Sequence, residues 1–262
     1  MGVIRTDEWL SKDFQDPLEI CKNWLKEFNE TDPENIYDYL LSFGMYKPSR
    51  SSWYVFQELN RKKVWEVTEK LLNKYQKMWD GPDISIYIFP MNQIYRQTPG
   101  KGVNKSGISF RDRMYLFLTP FDDFKELEAL FIHEYHHVCR LNKQKKDIDD
   151  YTLLDSMILE GLAEFTVLKY CGEDYIAHWC KYYTNKELEN FWNKFLKEGI
   201  NVKKREALHD QLLYGFEGYP RLVGYATGYQ IVCDFMHRKS FSTKATFHLE
   251  SEIFNKKNIK FS

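Results

Sequence analysis

The chain has 262 residues, a length that suits one large domain or a core with an attached lobe. It is 43% hydrophobic and 17% aromatic, which is enough apolar side chain for a sizeable core and argues against global disorder. The 37 basic and 38 acidic residues leave a net charge of −1, so there is no reason to expect a nucleic-acid partner.

The patterning favours a cytoplasmic protein that does not enter membranes. No window approaches 18 consecutive apolar residues, and the first twenty residues contain no apolar segment of signal-peptide length. The five cysteines are odd in number, are widely spaced and form no CxxC pair. Such cysteines are typical of reduced, mostly buried thiols. The oligomeric state has no signal in the sequence.

The first 80 residues are predicted to form a helical N-terminal segment that packs on the core. Residues 16–30 and 33–45 each carry a proline near a helix N-terminus and apolar residues at helical spacing. Residues 52–79 form a longer amphipathic stretch, which the sequence DGP at 80–82 ends. The remaining residues, 81–262, are predicted to form one catalytic domain.

A small sheet is predicted between residues 84 and 119. The segments ISIYIFP (84–90), SGISFRD (106–112) and RMYLFLT (113–119) are short and rich in β-branched and aromatic residues. The last two are separated by almost nothing, so they are expected to form a tight antiparallel hairpin. The glycine-rich approach at 99–107 is a candidate flap.

Two helices carry the chemistry. One is predicted over 120–141, with Thr119 as a candidate cap, and the other over 151–171, closed by Gly172. A charged connector joins them, and further helices fill the C-terminal part of the chain. The fold class is therefore α+β, mostly helical, with a small antiparallel or mixed sheet before the first of these helices.

The first of these helices contains the sequence HEYHH, which matches the zinc-peptidase pattern H-E-x-x-H. His133 and His137 lie four residues apart, one turn above the other on one face, so they can share one tetrahedral ion. Glu134 lies beside the first histidine, near the metal without ligating it. His136 points elsewhere.

The third ligand must come from another element. The metzincin pattern, which supplies the third ligand from the same segment, is excluded because Arg140 and Lys143 occupy the positions where it requires glycine and histidine. On the second helix, Glu160 and Glu164 interrupt an apolar stripe, and Glu160 can reach the metal. Glu164, one turn later, is placed to accept a hydrogen bond from a ligating histidine. Asp155 is the competing third ligand.

The segments HEYHHVCR, LLDSMILEGLAEF and GYATGYQIV together resemble the gluzincin class of zinc peptidases, and more closely the YjaZ-like family of predicted zinc-dependent proteases. The likeness covers roughly residues 60 to 240. It implies a zincin-like fold and one zinc ion held by His133, His137 and Glu160. It also implies that Glu134 is the general base on a metal-activated water.

The resemblance implies a peptide or protein substrate, whose backbone would lie along the outer strand of the hairpin, 106–112. An oxyanion donor is also needed. Tyr225 is the favoured candidate, and Tyr229 and Arg221 are the others. Two alternatives stay open: a non-catalytic zinc-stabilised binding or scaffold protein, and another zinc amide hydrolase such as a deformylase.

Overall fold

The structure, a computed structural model, describes residues 1–92, 105–144 and 146–254. The chain divides into two compact units, residues 1–134 and residues 135–262. The division falls inside one continuous helix, so each unit contains part of it. The predicted division near residue 80 stays a prediction.

The described residues are mostly helical. Their α-helices are α1 Thr6–Asp13, α2 Pro17–Cys21, α3 Pro33–Ser42, α4 Arg50–Arg61, α5 Val64–Trp79, α6 Phe124–Gln144, α7 Leu153–Cys171, α8 Asn185–Phe191, α9 Ala207–Asp210, α10 Val223–Arg238 and α11 Thr243–Thr246. Two π-helical segments and five 3₁₀ turns accompany them. These are Trp192–Leu196 and Gln211–Gly215, and then Lys22–Trp24, Ile148–Asp150, Glu173–Tyr175, His178–Lys181 and Ser251–Ile253.

One four-stranded sheet lies in the first unit. Its strands are β1 Gly2–Val3, β2 Ser85–Pro90, β3 Lys105–Ser109 and β4 Arg113–Leu118. The order is β1-β2-β4-β3, with β1, β2 and β4 mutually parallel and β3 antiparallel to β4. The predicted hairpin and the mostly helical chain with a small mixed sheet are confirmed. Strand β1 was not predicted, because two residues are too short for a periodic signal.

Aromatic side chains pack on the sheet of the first unit. Tyr87 and Tyr115, which are directly paired across β2 and β4, stack with their ring centroids 4.9 Å apart. Trp24 packs edge-on against both rings, at 5.1 Å and 5.2 Å. Every residue of β4 is buried, which is the pattern of a strand covered on both faces.

The stretch predicted as one long helix, 52–79, is two helices. Lys63 adopts φ 54°, a left-handed conformation that turns the chain between α4 and α5. The physical reason is tertiary, since α4 packs on β2 whereas α5 packs on β1. Asp80, with φ 52°, then ends α5 at the predicted DGP break.

The amino-terminal half of α6 is anchored to α5 in the first unit. Its first turn is capped by Asp123, whose carboxylate accepts from the N–H of Lys125 at 2.8 Å, so the helix begins later than the predicted residue 120. Tyr75 donates to the Glu128 carboxylate at 2.7 Å, and its ring lies 5.9 Å from that of Phe131. These contacts hold the turns that precede the H-E-x-x-H segment.

In the second unit, α7 and α10 pack closely along each other. A Cβ built on Gly161 would lie 2.5 Å from the carbonyl oxygen of Gly228, so side chains larger than hydrogen are excluded there. Helix α7 begins with a capping box between Thr152 and Asp155, and Gly172, with φ 99°, follows its last residue. Buried apolar residues from α7, α10 and the π-helical segments form the core around this pair.

Two buried polar side chains tie other elements to this unit. Arg140 of α6 has no exposed surface and donates to the Thr246 carbonyl at 2.8 Å; burial lowers its pKa to about 10. His209 of α9 has none either, and its ring nitrogens lie 2.9 Å from Ser156 Oγ and 2.8 Å from Asp210 Oδ1. Ser156 and His209 are buried whereas Asp210 is exposed, so these contacts join α9 to α7 and the Ser156 hydroxyl is not accessible to a substrate.

Candidate metal centre

Three side chains that can hold a metal ion come together among the described residues: His133 and His137 of α6 and Glu160 of α7. One ligand atom from each lies within 4.8 Å of those of the other two. His137 Nε2 is 3.6 Å from Glu160 Oε1. The histidines meet because four residues make one helical turn. Glu160 joins them although 22 residues separate it from His137 in the chain, namely the end of α6, the connector and the first turns of α7.

The donor set fits zinc. Two imidazole nitrogens and one carboxylate oxygen are ligands that zinc prefers, and three protein ligands leave a fourth position open, as in catalytic sites. A tetrahedral ion at roughly 2.0–2.1 Å from each ligand would set the ligand atoms about 3.3 Å apart. The 3.6 Å between His137 and Glu160 therefore needs only a small adjustment. His137 is buried, and His133 and Glu160 are partly exposed.

The middle histidine of the motif has different surroundings. His136 has no exposed surface, and its ring meets that of Phe247 edge-on at 5.0 Å. His136 therefore faces the apolar interior of the second unit. The spacing within the motif had already predicted that His136 faces away from the pair at 133 and 137.

Glu134 is 6% exposed and its carboxylate lies against β3. The Ser109 hydroxyl donates to Glu134 Oε2 at 2.6 Å. A Cβ built on Gly107 would lie 2.6 Å from three atoms of the same side chain. Sequence reasoning missed both strand residues, because nothing in the local pattern couples a strand residue to a helix residue 25 or 27 positions later.

The other acidic candidates of α7 have partners of their own. Glu164 is buried, and its Oε2 accepts from the Ala177 N–H at 2.9 Å and lies 4.0 Å from Cys180 Sγ. Its predicted hydrogen bond to a ligating histidine stays a prediction. Asp155, the competing ligand, closes the capping box and pairs with Lys146 at 2.6 Å.

The three candidate oxyanion donors belong to an aromatic region of the second unit. Tyr225 is half-buried, with its ring 5.2 Å from that of Trp179. Tyr229 is 8% exposed, and burial raises the pKa of its hydroxyl. The exposed Arg221 places its guanidinium 5.7 Å from the Tyr182 ring centroid. None of these contacts tests the proposed oxyanion role.

The fold and the site define a mostly helical chain with a candidate His-His-Glu metal centre. Residues 64–256 match the family described as "Predicted Zn-dependent protease (DUF2268)". The chain is also 33% identical to "Uncharacterized protein YjaZ" of Bacillus subtilis (strain 168) over 256 residues, covering 97% of this chain and 98% of the relative. The chain therefore belongs to this family of predicted zinc-dependent proteases, as its resemblance predicted. No solved structure matches it.

The family supports a zinc-dependent protease, and with it a peptide substrate, at the level of a family prediction. Among the helices in the described parts of the chain, none combines the length and the apolar character that crossing a membrane requires.

Proposed function

We propose that this protein is a zinc metallopeptidase of the gluzincin type with a zincin-like catalytic fold. The observation that carries the proposal is the convergence of His133 and His137 of α6 with Glu160 of α7. The buried Glu134 is on α6, next to His133. Membership in a family of predicted zinc-dependent proteases supports it. A structural site would need no adjacent base and is usually closed by a fourth protein ligand.

The two histidines and Glu160 would hold one zinc ion. When bound, zinc supplies Lewis-acid chemistry, which polarises a peptide carbonyl and makes water acidic enough to ionise near neutral pH. Glu134 takes the proton of the attacking water and passes it to the leaving amine. Glu164 is the candidate acceptor for the outer nitrogen of a ligating histidine, and Tyr225 is the candidate donor to the developing oxyanion.

The substrate backbone would add to the sheet at β3. This strand is at one edge of the sheet and pairs only with β4 among the described strands, so its outer side offers backbone hydrogen-bonding groups. The candidate flap at 99–107 falls outside the described residues up to residue 104. Edge pairing would favour an extended peptide segment with little sequence preference in its backbone contacts.

The experiment combines zinc content with hydrolysis of a panel of quenched fluorescent peptides. Wild type is expected to hold one zinc per chain and to cleave at least one peptide. Glu134→Gln should keep zinc but lose roughly 10²- to 10⁴-fold in kcat, the usual contribution of a general base. Glu160→Gln should weaken zinc binding by more than about 100-fold, since loss of an outer partner alone costs 10- to 100-fold. Exposed Glu173→Gln is the matched control.

Each outcome bears on a separate part of the proposal. Full hydrolysis by zinc-loaded Glu134→Gln would remove the general-base role. Unchanged zinc affinity in Glu160→Gln would move the third ligand elsewhere. A wild-type chain that holds zinc tightly and cleaves no peptide or denatured protein would favour the scaffold alternative.

A further inference from the structure

One face of the edge strand β3 runs along helix α6. Alternate residues of a strand share a face, and three of them, Lys105, Gly107 and Ser109, all meet this helix. Lys105 Nζ donates to the Glu126 carbonyl at 2.9 Å and also reaches its carboxylate, whereas the other two meet Glu134. Four residues of strand span about 13 Å and eight residues of helix about 12 Å, so the two elements stay in register over this length.

Ser109 meets Glu134 at two oxygens, one in the side chain and one in the backbone. Its hydroxyl lies 2.6 Å from Oε2 and 3.0 Å from the Glu134 carbonyl oxygen. A hydroxyl has one proton, so the shorter contact to the carboxylate takes the larger share of the bond. Glutamate has several rotatable bonds, and fixing them costs roughly 1.5–2 kcal/mol of side-chain entropy that a specific contact must offset.

Gly107 makes the space in which the carboxylate lies. A Cβ at this position would be 2.6 Å from Cγ, Cδ and Oε1 of Glu134. Carbon atoms do not approach so closely, so any other residue at 107 would displace the carboxylate from the strand. The serine and the glycine therefore act on the same group, one by attraction and one by leaving room.

We propose that Ser109 and Gly107 are positioning residues, which hold the Glu134 carboxylate in one place on the edge strand. This inference rests on the proposed general-base role of Glu134. A general base must lie within hydrogen-bond reach of the proton that it takes, about 2.6–3.2 Å. A misplacement of about 1 Å can cost 10²-fold in rate, so the contact of Ser109 with Oε2 is expected to act on kcat.

The kinetic test uses the quenched fluorescent peptide that the wild-type protein cleaves fastest. Ser109→Ala is expected to lower kcat by about 10- to 100-fold while zinc content and KM stay close to wild type. Ser109→Thr keeps the hydroxyl and should restore most of the rate. Gly107→Ala should lower kcat even though Ser109 is intact.

Two kinetic results would overturn the proposal. One is a kcat for Ser109→Ala within twofold of wild type. The other is an effect on KM alone, which would make Ser109 a substrate contact. Loss of zinc in Ser109→Ala would also count against it, because a residue that positions only the base has no effect on metal binding.

A second measurement does not depend on catalysis. The urea midpoints of the full chain are compared for Ser109→Ala, Glu134→Ala and the double variant. Ser109→Ala should lower the midpoint by about 0.3–0.5 M when Glu134 is present and by clearly less when it is absent. Gly107→Ala should likewise destabilise only the chain that retains Glu134.

The matched control is Ser106→Ala, the same change on the opposite face of β3, whose effect should not depend on Glu134. If Ser109→Ala lowers the urea midpoint equally with and without Glu134, the two side chains do not interact and the proposal is wrong. If the wild type cleaves nothing, the proposed function fails, but this cycle still decides whether Ser109 holds Glu134. The two failures are therefore distinguishable.

Discussion

At the scale of single residues, two carboxylates of helix α7, at positions 155 and 160, differ in their partners. Asp155 accepts from the Thr152 backbone N–H at 2.8 Å and pairs with Lys146, whereas Glu160 lies 3.6 Å from His137. Burial alone would raise the pKa of Asp155, but the hydrogen bonds from Lys146 and Thr152 outweigh it and hold the pKa below its usual value. Asp155 is thus used to begin the helix.

We expect Asp155→Asn to destabilise the protein in a pH-dependent way. A carboxylate with a lowered folded pKa contributes stability above its unfolded pKa, about 3.9, and loses it as pH falls through the lower folded value. The variant should therefore cost about 1–2 kcal/mol at pH 7 and progressively less below about pH 4.

Urea unfolding of both proteins, from pH 7 down to the lowest pH at which the wild type stays folded, checks this expectation. The exposed Asp174→Asn serves as the control and should show no such trend. A difference between wild type and Asp155→Asn that stays constant across the range would contradict the electrostatic explanation.

At the scale of elements, the packing of α7 on α10 fixes the position of the backbone that carries the Glu160 side chain. Gly161 follows Glu160 directly, and its Cα faces the backbone of Gly228. A Cβ on Gly228 would in turn lie 2.1 Å from the carbonyl oxygen of Met157. Backbone meets backbone at both points, so neither helix can yield by rotating a side chain. This close approach is the structural reason for glycine within the segment ILEGLAEF.

Gly161→Ala should be destabilising despite the better helix propensity of alanine. Overpacking costs about 1–3 kcal/mol, against a propensity gain of roughly 1 kcal/mol, so a net loss of up to about 2 kcal/mol is expected. Because the helix must move away, zinc affinity should fall as well. Urea unfolding and zinc titration measure the two effects.

The control for Gly161→Ala is Lys169→Ala, an exposed position on the same helix, which should change stability by no more than about 0.5 kcal/mol. A Gly161→Ala protein more stable than wild type, with unchanged zinc affinity, would show that the helices have room to separate.

The elements also show where sequence patterns reach their limit. The periodicity of residues 52–79 continues through Lys62 and Lys63 without glycine or proline, so it predicts a single helix. The break at Lys63 follows from the separate strands on which α4 and α5 pack. Tertiary packing of this kind overrides local propensity.

At the scale of the whole molecule, the described chain forms two compact units, each with its own core. Metal that binds the native chain and not the unfolded chain stabilises the native state by mass action. Zinc at about 100 times its dissociation constant would add about 2.7 kcal/mol. For a chain of this size this corresponds to a rise in Tm of roughly 5–10 °C.

Thermal unfolding of the chelator-treated protein, with and without added zinc, tests this prediction. His133→Ala should abolish the rise in Tm, whereas magnesium, which prefers oxygen ligands in an octahedral site, should not produce it. An equal rise in wild type and His133→Ala would place the stabilising zinc at another site.

The sequence by itself determined the membership in the family, the helix that carries His133 and His137, and the helix that carries Glu160. The two helices follow from a period of 3.6 residues, which is local and therefore readable in the order of the residues. Gly172 and the DGP break ended their helices where predicted, because φ > 0 and proline act within a turn.

Only the tertiary structure decided which strand residues meet Glu134, how α7 approaches α10, and the parallel pairing of β1, β2 and β4. It also decided that Glu160, and not Asp155, comes to the histidines. The reason is physical: these contacts join residues that are far apart in the chain. Their partners are selected by packing and burial, which a local sequence pattern does not record.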